Sequence, residues 1–248
     1  MRIGLVKHSN ARPLTFGIEK SGEHSLVYEN PSVLKDLLLE GKLDTALISS
    51  VECIRNRGLS YTTCVGVAAA EKVRSILFFR NRKMKNTEKI YTDHGSRSSV
   101  ALLRILIAET EGRLPETEPT LPEKIQEMIH QGDGHHLLFG DNALRADWNP
   151  EKYEAHDLAS FWHQFTGKSF CFAFWAYPKE NPASDSIFLN SLEYGLSHID
   201  DIVNEEKNLD RTMLNHYLRY ELHYKINNLD LEGFGLFKEL LQKYGLDK

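Results

Sequence analysis

Residues 157–178, DLASFWHQFTGKSFCFAFWAYP, decide the reading of the fold. Leu158, Phe161, Trp162 and Phe165 recur at the spacing of one helix face. Gly167 supplies a stop, because glycine enters the left-handed region without a Cβ clash. The run from Phe170 to Tyr177 then carries no charged residue. It is too short to span a bilayer and is bounded by turn residues, so it predicts a strand covered on both faces. An aromatic helix feeding a doubly buried strand, late in the chain, predicts a crossing between two lobes. The rings of Phe161, Trp162, Phe165, Phe170, Phe172 and Trp175 read as core, with one or two free to cover a flat ligand.

Upstream, apolar runs at residues 3–6, 25–28, 45–48, 62–70 and 76–79 read as strands. Asn30-Pro31 opens a helix that buries Val33, Leu34, Leu37 and Leu38. A second unit starts near Lys83, with strands at 89–92 and 137–139. Between them lie a helix with Val100, Leu103, Leu106 and Ile107 on one face, a proline-rich connection at 115–122, and a helical segment at 121–130. Beyond Pro182 three helices are expected, marked by Ile187, Leu192, Leu196 and Ile199, by Leu214, Leu218, Leu222 and Ile226, and by Leu231, Phe234, Phe237, Leu240 and Leu241. Alternation of strand and helix implies open α/β sheets. The expected division is lobe one at 1–82, lobe two at 83–172, and a return to lobe one with C-terminal helices at 173–248. A cleft between the lobes is where a small ligand binds.

The chain of 248 residues has a formal net charge of -5 and is 41% hydrophobic, enough for one large domain or two small lobes. No cluster of Lys and Arg marks a nucleic-acid surface. Residues 80–85 form a short basic loop interrupted by Asn81 and Met84. No run reaches membrane-span length, and the apolar run after Met1-Arg2 is too short for a signal core. The three cysteines, Cys53, Cys64 and Cys171, are scattered and read as small core hydrophobes in a reduced, cytoplasmic setting.

Several strand ends carry small polar residues: Ser9-Asn10, Ser49-Ser50, the loop 93–99 and Gly140-Asp141. Ser75 stands where a strand begins, just after Arg74. If these converge they line a pocket of hydroxyl and amide groups. Ser96, Ser98 and Ser99 precede a strong helix, either as a simple N-cap or as the entry to an anion site. Arg12 and Arg74 could each fork onto a ligand carboxylate or make a surface ion pair. Asp44 and Glu52 read as structural. No Gly-x-Ser-x-Gly elbow is present. His8 beside Ser9 is set aside, since neighbours along a strand point to opposite faces. His135-His136 lacks a third ligand at a recognisable spacing and reads as a solvated loop.

Taken in order, these segments resemble the chorismate dehydratases of the futalosine route to menaquinone. The resemblance rests on Arg2-Ile3-Gly4 with Ser9-Asn10 and Pro13-Leu14, on LEGKLDTALISSVE (residues 39–52), and on VRSIL (73–77). It continues through SRSSVALL (96–103), FGDNAL (139–144), the opening stretch and the terminal helix at 232–246. It departs where the family often has Tyr-Leu-Asn and this chain has His8-Ser9-Asn10. It also departs at Glu71-Lys72, where Gly-Pro is frequent, and at Cys53, where Tyr is frequent.

Membership implies a two-lobed, periplasmic-binding-protein-like fold of type II used as an enzyme. The implied reaction removes water from chorismate, a small dianion, to give 3-[(1-carboxyvinyl)oxy]benzoate, without metal or organic cofactor. Asn10 and Ser75 are the implied catalytic residues. Ser49, Ser50, Arg74, Ser98, Ser99, Val100 and Asp141 are the implied substrate-binding set, and the substrate's own enolpyruvyl carboxylate is a candidate base. The competing expectation is a non-catalytic cytoplasmic binding protein for a small carboxylate ligand, because fold does not fix function.

Overall fold

The computed structural model describes every residue except His94 and Ser96. The chain begins with β1 (Arg2–Leu5), α1 (Arg12–Ser21), β2 (Ser25–Tyr28), α2 (Pro31–Leu39), β3 (Thr45–Ser49), α3 (Ser50–Arg55) and β4 (Leu59–Ala69). It passes to a second lobe built from β5 (Ile76–Asn81), β6 (Lys89–Asp93), α4 (Arg97–Glu111), β7 (Glu116–Thr120), α5 (Pro122–Gln131), β8 (His135–Phe139), α6 (Gly140–Leu144), β9 (Tyr153–Asp157) and α7 (Leu158–Thr166). β10 (Phe170–Pro178) returns to the first lobe. α8 (Asp185–Ser197), α9 (Ile199–Glu205), α10 (Arg211–His216), β11 (His223–Lys225) and α11 (Asn228–Lys243) follow.

The first sheet has the order β11-β4-β10-β3-β1-β2 and the second β7-β6-β8-β5-β9. The two share one wiring. The strand entering from the other lobe sits antiparallel between two neighbours: β10 between β3 and β4, and β5 between β8 and β9. β10 is central in its sheet, which is why its sequence is apolar on both faces. Trp175 stacks on Phe188 of α8 with ring centroids 4.8 Å apart, while its neighbour Phe174 meets Phe234 of α11 at 5.0 Å. Successive side chains of a strand point to opposite faces, so β10 joins the two helical layers of lobe one. α7 ends where Gly167 takes φ 69°, as its sequence predicts.

The lobe limits move. β5 hydrogen-bonds to β8 and β9, so 76–81 belongs to lobe two rather than to the segment ending at 82. The whole of β10 lies in the first sheet, so the return precedes Phe170 rather than falling at 173.

Other expectations change for local reasons. The connection at 115–122 contains β7, an edge strand that tolerates Pro119 because it pairs only with β6. The polar run 153–157 is an edge strand too, β9, paired only with β5. The spacing of Leu214, Leu218, Leu222 and Ile226 does not continue one helix. A π turn at Tyr217–Glu221 ends it, Leu222 goes extended, and β11 joins the free edge of β4.

His135 and His136 are not a solvated loop. Both are fully buried in β8, flanked by β6 and β5. His135 Nδ1 accepts the Asn81 N–H at 3.0 Å. His136 is held against the Asp133 carbonyl and stacks on Tyr91, and burial pushes its pKa down to about 4. Among the described residues no helix is long and apolar enough to cross a membrane.

Candidate active site

The carboxyl ends of β1, β3 and β8 and the loop after β6 converge on a narrow cavity of about 50 Å³ between the lobes. Lobe one contributes Val6, His8, Asn10, Ile48, Ser49 and Phe172. Lobe two contributes Ile76, Gly95, Ser99 and Phe139. The wall is mostly apolar with a few polar groups, the usual character of a small-molecule site.

Three of the sequence-derived site residues reach this wall: Asn10, Ser49 and Ser99. Asn10 is half-buried on the 3-10 turn Ser9–Ala11 that follows β1. Ser49 ends β3, and its buried Oγ has no hydrogen-bond partner among the described residues. Ser99 is buried in the first turn of α4. Ser96 lies outside the described residues.

The remainder sit behind the wall. Ser50 Oγ donates to the Cys171 carbonyl at 2.7 Å and lies 3.1 Å from Ser98 Oγ, which accepts the Val51 N–H. These bonds fasten α3 of lobe one to α4 of lobe two. Ser75 is buried and its Oγ accepts the Tyr217 hydroxyl at 2.7 Å; its neighbour Ile76 faces the cavity.

Arg74 is paired with Glu221, its Nε donating at 2.7 Å. Asp141 Oδ1 accepts the Ser9 N–H at 3.2 Å and so holds the turn that carries Asn10. Val100 lines a separate groove with Arg55, Arg97 and Arg104. Arg12 is engaged by Glu19 and Glu205, and buried Glu52 bridges Arg55 and Arg97.

Sequence reasoning missed His8. It lines the cavity because β1 ends at Leu5, so the alternation of a strand does not apply three residues later. Its ring meets Phe139 edge-on, with centroids 5.0 Å apart. It also covers Gly140, where an added Cβ would lie 3.4 Å from His8 Nδ1. Burial lowers the His8 pKa, opposed by the charges of Asp141 and Asp93. The signal in the sequence was a polar turn directly after the first strand, a place where α/β folds put ligand contacts.

Two sheets that share one five-strand wiring, joined by two crossings with a cavity between them, define a two-lobed, periplasmic-binding-protein-like α/β protein. Solved structures agree on that fold. The protein AF1704 of Archaeoglobus fulgidus superposes with a TM-score of 0.77 at 12% identity, covering 99% of this chain and 97% of that one. The periplasmic aliphatic sulphonate binding protein SsuA of Escherichia coli superposes with a TM-score of 0.67 at 14% identity, covering 99% and 92%. Within that class the chain belongs to the menaquinone biosynthesis family, whose profile matches residues 1–243. It is 28% identical to the chorismate dehydratase of Thermus thermophilus over 261 aligned positions, covering 96% of this chain and 94% of that protein.

Proposed function

We propose that this protein is a chorismate dehydratase, a hydro-lyase that converts chorismate to 3-[(1-carboxyvinyl)oxy]benzoate in the futalosine route to menaquinone. The end-to-end match to the Thermus thermophilus enzyme carries this reading. The cavity supports it, being apolar enough for a flat ring and furnished with hydrogen-bonding groups from both lobes.

Loss of the ring hydroxyl and of the adjacent ring proton makes the ring aromatic, so the driving force lies in the substrate. The elimination is redox-neutral and balances without an organic cofactor. The protein must hold a dianion in one orientation and assist the departing groups. Asn10 and Ser49 offer hydrogen bonds from lobe one. Ser99 and the first turn of α4 offer them from lobe two, where the helix dipole favours a carboxylate.

Ser75 stands one residue behind the wall, its hydroxyl oriented by Tyr217. Ser50, Ser98, Asp141 and Arg74 hold the wall in place, and Val100 continues the α4 turn. Catalysis by such a site is mainly positioning and electrostatic preorganisation. A biosynthetic role on a soluble substrate goes with a cytoplasmic setting.

The purified protein, incubated with chorismate and no added metal, is expected to consume it and form the carboxyvinyloxy-benzoate, identified by mass spectrometry. Chorismate recovered intact at high enzyme concentration overturns the reading. Tight chorismate binding without product would favour a binding protein, the role of the SsuA relatives.

A further inference from the structure

We infer that the groove between α3 and α4, set with Arg55, Arg97 and Arg104, is a binding site for a small polyvalent anion, a phosphate- or carboxylate-bearing metabolite. It is separate from the interlobe cavity, and nothing in it depends on the dehydratase reading.

The groove encloses about 300 Å³ and takes its walls from both lobes. Arg55 and Leu246 come from lobe one, and Arg97, Arg104 and Thr117 from lobe two. Residues 97, 101 and 104 share one face of α4, with the two arginines roughly 10 Å apart along the axis. Ala101 between them is small and leaves that space open. Side chains alternate along β7, so Thr117 faces the groove while Glu116 and Glu118 point away. Glu118 is paired with Lys89 at 2.6 Å. Among the described residues lining the groove, Asp93 is the one acid, and it accepts from Gly95 and Asn142.

Each guanidinium is fixed by one edge. Arg104 Nε donates to the Pro115 carbonyl at 3.2 Å. Arg55 Nε and Nη2 donate to the Leu246 carbonyl at 3.0 and 2.8 Å, and Arg97 Nη1 donates to buried Glu52 at 3.2 Å. Glu52 also serves Arg55, so one carboxylate is divided between two arginines. Arg104 has no acidic partner among the described residues. It is half-buried, and both the burial and the like charge of Arg55 lower its pKa. A guanidinium withdrawn from water beside another is short of a counter-ion. Its free Nη edge suits a bidentate bond to phosphate or carboxylate, and its fixed Nε reduces the ordering that binding costs.

An occupant bridges Arg55 of lobe one to Arg97 and Arg104 of lobe two. It therefore favours the joined lobes over any arrangement that parts them. The same two helices carry the Ser50–Ser98 contact behind the active-site wall, so the groove and the cavity share one interface.

The test is titration calorimetry and thermal melting with pyrophosphate and with citrate, each replacing KCl at constant ionic strength, without chorismate. At least one of these anions is expected to bind saturably with a Kd below about 1 mM. It should raise the melting temperature by roughly 5–10 °C at about a hundredfold excess over Kd. Arg104→Gln and Arg97→Gln should each weaken binding about tenfold or more, whereas Lys124→Gln, exposed on α5, should bind as wild type does. A response to pyrophosphate alone assigns a phosphate group, and one to citrate alone a carboxylate group. If Arg104→Gln melts early without anion, Arg97→Gln, at an exposed position, decides in its place. Absent or unsaturable binding overturns the site, as does affinity within about threefold of wild type in the arginine variants. Because chorismate is left out, failure here and failure of the dehydratase reading are separate results.

Discussion

Asp157 Oδ2 accepts the backbone N–H of Arg74 at 2.6 Å, and that of Val73 at 2.9 Å. Its other oxygen caps α7 by accepting the N–H groups of Ala159 and Ser160, each at 3.0 Å. One carboxylate thus ties the outward passage at 70–75 to the start of the return at 158–169. Arg74 has φ 41°, a conformation costly for a residue with a Cβ, and the bond to Asp157 helps offset that cost. Asp157→Ala should destabilise the protein by about 2–4 kcal/mol, from the lost cap and two unpaired N–H groups. Asp157→Asn should recover part of this through its amide oxygen. Urea denaturation reads both, and a loss below about 0.5 kcal/mol for Asp157→Ala, within the range of an ordinary surface change, would show that this tie does not hold the two passages together.

The Tyr217–Ser75 bond makes a second prediction. The Tyr217 hydroxyl donates to Ser75 Oγ, so the proton of Ser75 is free to point elsewhere. Burial raises the Tyr217 pKa, keeping the phenol protonated and able to donate. Tyr217→Phe should lower kcat about tenfold, the worth of one hydrogen bond near 1.4 kcal/mol. Ser75→Ala should cost at least as much, and Asn10→Ala about 10²-fold. Unchanged turnover in Ser75→Ala or Asn10→Ala would take that residue out of the reaction.

His136 predicts a pH dependence of stability. Its folded pKa is pushed down to about 4 from an ordinary value of 6.5 by burial. Above 6.5 both states are neutral and the contribution is whole. As pH falls from 6.5 towards 4, the unfolded chain binds a proton that the fold refuses, and stability drops by up to about 1.4 kcal/mol per pH unit. Burial also lowers His135 and His156, so the difference between wild type and His136→Phe isolates this group. That difference should change by about 3 kcal/mol between pH 7 and pH 4, and a constant difference would contradict the assignment.

Gly233 marks a close approach of α11 to the end of the second crossing. A Cβ there would lie 2.2 Å from the Ser169 carbonyl oxygen, which also accepts the Trp162 indole N–H at 3.0 Å. Backbone cannot yield as a flexible side chain does. Gly233→Ala should therefore cost about 1–3 kcal/mol despite the better helix propensity of alanine. A melting temperature at or above wild type would show that α11 can slide.

Elements with a strong apolar period were legible in the sequence because that period is itself the cause of their burial. α7, β10, β3, α4 and α11 are of this kind, and Gly167 and Asn30-Pro31 punctuate the chain where their backbone preferences allow. Edge strands were not legible. β7 (ETEPT) and β9 (YEAHD) are held by neighbours on one side and need little hydrophobicity of their own. His135-His136 looked hydrophilic, yet β8 lies inside its sheet and its imidazoles find partners in Asn81 and Asp133.

The site divides in the same way. Asn10, Ser49 and Ser99 sit at strand ends and a helix start, so local pattern found them. The sequence by itself determined two α/β lobes, the buried crossing at 157–178 and the polar turns that could meet a ligand. Only the tertiary structure decided which of those turns share a cavity, that Ser50 and Ser98 join the lobes instead of lining it, and that His8 faces Phe139 across the cleft. The reason is physical: periodicity encodes which face of an element is buried, whereas meeting across 131 residues of chain, as His8 and Phe139 do, depends on how two sheets are set against each other.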